Sequence, residues 1–95
     1  MTATNENYQY PLDETWTTSE IITVTNFYRL IEAANESTVS KAELMTAYQA
    51  FKQIVPAKSL EKQIGREFEA ASGYSIYKTM QAAQQTTKQR VRYRS

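Results

Sequence analysis

Ninety-five residues with a net charge of +1 and 41% hydrophobic positions fit one domain, large enough to bury a core without metal or disulfide support. With no cysteine, disulfides, thiolate metal sites and cysteine nucleophiles are excluded; with no histidine, the commonest general base and most transition-metal ligands are missing too. Two glycines provide no glycine-rich phosphate loop, and no apolar run approaches the roughly 18 residues of a membrane span. The charge is unevenly spread: up to Glu69 there are ten acids against six bases, and beyond it five bases and no acid, an acidic body with a basic tail.

Residues 1–6 are polar and unpatterned, and a disordered start is expected. The first seven residues lack the charged and apolar regions of a signal peptide, so a cytoplasmic location is expected. Tyr8, Tyr10, Pro11, Leu12 and Trp16 then make an aromatic arm, read as extended and laid over the core, with an exposed patch awaiting a partner as the sharper alternative.

Thr17 and Glu20 have capping-box spacing and start a first helix that runs to about Asn35. At about 100° per residue, Ile21, Val24, Phe27, Tyr28, Ile31 and Ala34 form one core face. Ile22 and Leu30 fall off that face and are candidate contacts for a partner.

The second helix is the best specified. Ser40 and Glu43 again have capping-box spacing, Val39 and Leu44 fit a hydrophobic staple, and Leu44, Ala47, Tyr48, Phe51, Ile54 and Val55 form an apolar stripe that Pro56 ends. A third helix carries Leu60, Ile64, Phe68 and Ala71, started by Ser59 or Pro56 and closed by Gly73 at the left-handed C′ position. Gly65 lies inside it at a cost on the order of 1 kcal/mol, and another backbone passing close by is the expected reason. A shorter fourth helix follows from Tyr74 to Ala83, with Ile76, Tyr77, Met80 and Ala83 inward. Residues 84–95 read as a basic, disordered tail, and no strand signal is long enough to build a sheet. The expected architecture is all-α: a single domain over 1–83, three main helices plus the shorter fourth, packed around Phe27, Ile31, Tyr48, Phe51, Ile64 and Phe68.

The run Asn7 to Asp13 followed by Trp16, the stretch Thr25-Asn26-Phe27-Tyr28, Phe51-Lys52 before Pro56, and Ser72-Gly73-Tyr74-Ser75-Ile76-Tyr77 resemble uncharacterised protein family 0223. The resemblance spans about 7–83 and implies a compact helical domain of small cytoplasmic proteins from low-GC Gram-positive bacteria. It supplies no catalytic residue, cofactor or metal.

Among groups able to do chemistry, Asp13 and Glu14 precede the first helix, where negative charge is favourable, and Glu67 and Glu69 are two apart on a helix and diverge. No enzyme activity is expected. The expected function is a small non-enzymatic domain that binds another protein through Tyr8, Tyr10, Trp16, Ile22 and Leu30. The alternative is an accessory RNA binder in which Lys88, Arg90, Arg92 and Arg94 meet phosphates and Tyr93 stacks on a base.

Overall fold

A computed structural model describes residues 10–93. Four helices carry the fold: α1 (Thr18–Glu36), α2 (Lys41–Ile54), α3 (Lys58–Ser72) and α4 (Ile76–Gln85), with two short strands, β1 (Val39–Ser40) and β2 (Arg90–Val91).

The full capping box forms at the start of α1: Glu20 N donates to Thr17 Oγ1 (3.1 Å), and Thr17 N donates to Glu20 Oε1 (2.9 Å). The helix buries Val24, Phe27, Tyr28, Ile31 and Ala34, the face set by helical period. At α2, Ser40 Oγ accepts from Glu43 N (3.2 Å), and Leu44, Ala47, Phe51 and Val55 are buried. Tyr48 and Ile54 sit half-buried at the margin of this stripe. Stacked rings at the centre, Phe27 on Phe51 (4.8 Å) and Tyr28 on Phe68 (5.0 Å), tie α1 to α2 and α3.

The arm approaches α1 through a turn in which Asp13 Oδ1 accepts from Thr15 N (2.8 Å) and Thr15 Oγ1 (2.7 Å), while Trp16 N donates to Asp13 O (3.1 Å). Those two bonds, the backbone one foremost, hold the Asp13 carboxyl below its ordinary pKa. Tyr10 lies 5.2 Å from the Tyr28 ring and 6.3 Å from Phe68, and its hydroxyl donates to Glu32 Oε1 (2.8 Å). Tyr28 in turn donates to Pro11 O (2.7 Å), so the buried phenol has an acceptor and the arm has an anchor.

Four expectations need correction. The helix α3 starts at Lys58 with Ala57 as an N-cap that supplies no side-chain bond, so Ser59 does not cap it and Pro56 lies ahead of its first turn. Among the described residues, and leaving aside the helix's own backbone, no atom lies within 4 Å of where a Gly65 Cβ would stand, so no second backbone of theirs passes there. Tyr77 points outward at 72% exposure; the inner face of α4 is Ile76, Thr79, Met80 and Ala83, all clustered within one arc whose edge Tyr77 misses by about 60°.

The fourth concerns the tail. Gln84 and Gln85 belong to α4, and the segment beyond returns to the body: β2 pairs antiparallel with β1, with Val39 opposite Val91 and Ser40 opposite Arg90. Lys41 N donates to Gln89 O (2.8 Å), Tyr93 N donates to Ala34 O (2.8 Å), and Lys41 Nζ donates to Thr86 O (2.6 Å). Val91 is buried, which is why alternation here produces a pairing strand instead of a dangling end. Gly73, at φ 84°, closes α3 as the spacing predicts.

Candidate functional site

The helix α3 buries Ile64 and Phe68 on one side and presents Lys58, Glu61, Lys62, Gly65, Arg66 and Glu69 on the other, at spacings of three and four. The helix α4 presents Ile76, Tyr77, Met80, Gln81 and Gln84 alongside, and Tyr48 and Lys52 of α2 complete one end. Together they bound an open cleft of about 660 Å³.

Its α2 end is fixed by three polar groups. Tyr48 donates to Glu61 Oε2 (2.9 Å) and Lys52 Nζ donates to Glu61 Oε1 (2.6 Å). Burial first, then the bond to Glu61, pushes the Tyr48 phenol up to about 12, so it stays a donor across the physiological range. Glu61 is thereby neutralised by Lys52. Among the described residues Lys58, Lys62 and Arg66, all exposed and four apart, take no part in an ion pair. Glu69 is the carboxylate at the other end of the row, while Glu67 turns away and accepts from Gln63 (3.2 Å).

Gly65 lines this cleft. Its φ is not positive, and outside its own helix backbone nothing among the described residues comes within 4 Å of its absent Cβ, so neither a turn nor packing among them requires glycine. A mid-helix glycine costs roughly 1 kcal/mol relative to alanine. The residue keeps the cleft wall flat at its middle.

A second, shallower groove of about 630 Å³ runs between α1 and α2, lined by Ile22, Asn26 and Leu30 from α1 and by Ala42, Glu43 and Ala50 among others from α2. It gathers two of the sequence-predicted contacts. Ile22 is 65% exposed, whereas Leu30 is half-buried against the core. Tyr10 and Trp16 are also half-buried against the core, and so serve the fold first; Tyr8 lies outside the described residues.

The basic group is divided. Arg90 donates from Nε to Thr38 Oγ1 (3.0 Å) and from Nη2 to Thr38 O (3.2 Å), Tyr93 is half-buried, and Lys88 and Arg92 are exposed. Arg94 lies outside the described residues. Tyr93 is therefore held against the body by its backbone, not carried on a loose chain.

Sequence reading missed the cleft. The signal was present in the four-residue spacing of Lys58, Lys62 and Arg66 around an unexplained Gly65, with an aromatic side chain at Tyr77. What hid it was the assignment of Tyr77 inward and of Gly65 to internal packing.

Four helices, a pinned aromatic arm and a two-residue ladder define a small all-α domain; among the described residues no helix is long and apolar enough to cross a membrane. The chain belongs to the uncharacterised protein family UPF0223, whose sequence profile matches residues 7–92. It is 67% identical over 90 residues to a UPF0223 protein of Lactiplantibacillus plantarum, covering 95% of this chain and 93% of the relative. A UPF0223 protein of Bacillus cytotoxicus is 52% identical over 84 residues, 88% of this chain and 94% of its own, and one from Streptococcus gordonii is 51% identical over 84 residues, 88% and 91%.

Proposed function

We propose that this protein is a non-enzymatic, cytoplasmic interaction domain that binds another protein through the α2–α3–α4 cleft. The observation that carries the reading is Gly65: a residue unfavourable to its helix, unexplained by the fold, and set in the wall of an open cleft beside an exposed Tyr77. Internal packing would have placed a neighbour over it. An external surface pressing on the wall supplies the reason that the described residues do not.

The test is photo-crosslinking in living cells with a photoreactive residue in place of Tyr77, and a control at Gln53, which is exposed on α2 away from the cleft lining. A discrete protein adduct at Tyr77, absent from Gln53 and resistant to nuclease, is expected. No adduct above the control, or one that nuclease removes, overturns the reading.

A further inference from the structure

We propose that the occupant of the cleft is a single amphipathic α-helix of the partner, bearing carboxylates at four-residue spacing and lying along α3 with its closest approach at Gly65. This rests on the interaction-domain reading above and names the class of ligand. Along α3 the cleft extends from Lys58 to Glu69, twelve residues and eleven helical rises, or about 16 Å of helix. Two neighbouring helices that both present stripes of helical period leave a trough suited to a third helix lying lengthwise.

The cation row sets the chemistry. Lys58, Lys62 and Arg66 recur every four residues, and among the described residues none takes part in an ion pair. Carboxylates at i, i+4 and i+8 on a facing helix match that period one for one. Glu69 sits beyond the last cation and favours a basic residue there, so charge also fixes the direction in which the helix lies. Gly65, between Lys62 and Arg66, is where the two backbones come nearest, and a side chain there would hold them apart. A nucleic-acid strand would use the cations but would meet Glu69 on the same wall and a floor of Ile76 and Met80, which suits a helix's apolar face better.

The probe is a displayed library of 14-residue amphipathic helices, with surface positions varied among Asp, Lys and Ser, selected on the full chain. Enriched peptides are then titrated by fluorescence anisotropy against the parent, Gly65→Leu and Lys62→Glu. The expected result is enrichment of acids four apart, with affinity falling at least about tenfold for each variant while both melt at or above, or within a few degrees of, the parent. Gly65→Ala, which adds one methyl into open space, keeps the fold and weakens binding less. Peptides that bind Gly65→Leu as well as the parent, or lack the acidic period, overturn the inference and leave the interaction-domain reading to its own crosslinking test. No enrichment also overturns it. Binding of polyuridylate with the same dependence on Lys62 overturns it in favour of a nucleic acid.

Discussion

Thr79 shows how much one polar side chain does in this core. It is fully buried, its Oγ1 donates to Ser75 O (2.7 Å), and it accepts from Asn35 Nδ2 (3.0 Å), which joins α4 to α1. Thr79→Val keeps the shape and removes both bonds, leaving Asn35 its bond to Ile31 O (2.8 Å). A loss of about 1 to 2 kcal/mol is expected, measured by urea denaturation. Glu32 presents the opposite case. Burial, then the Glu36 charge one turn on, pushes its carboxyl up to about 7, and its buried Oε2 has no hydrogen-bond partner among the described residues. Because the folded pKa exceeds the ordinary 4.5, the native state binds more protons than the unfolded chain between those values. Stability therefore falls as pH rises from about 4.5 to about 7, and Glu32→Gln should flatten that stretch of the profile. A melting curve series that rises over this window contradicts the assignment.

At the scale of elements, capping chemistry and apolar period made α1 and α2 readable: Thr17, Glu20, Ser40 and the stripes behind them behave locally as their spacing demands. The short ladder was not readable, because a two-residue strand has no periodic signal and Val91 pairs with Val39, which lies 52 residues earlier in the chain. The cleft failed for a related reason: helical period places a residue on a face but does not say which face a neighbouring helix leaves uncovered. Tyr77, adjacent to Ile76, illustrates it. The ladder has a measurable consequence. Val91→Ala removes two methyl groups from a buried site and should cost about 1 to 2.5 kcal/mol, whereas a dangling tail would cost nothing.

Taken as a whole, the molecule depends on one aromatic centre. Phe51 is fully buried beneath Phe27 and Tyr28, and Phe51→Ala is expected to cost about 3 to 5 kcal/mol, comparable to much of the total for a small domain. A melting point within about 3 °C of the parent would place the core elsewhere. The β1–β2 ladder also bears on the order of folding. Thr38 and Arg90 are 52 positions apart, and closing so long a loop is entropically unfavourable until the helices between them have packed. The ladder should then form after the rate-limiting barrier. In stopped-flow refolding, Val91→Ala should leave the folding limb of the chevron nearly unchanged and raise the unfolding rate by a similar factor at every denaturant concentration, so that this strand acts as a latch on the native state's lifetime.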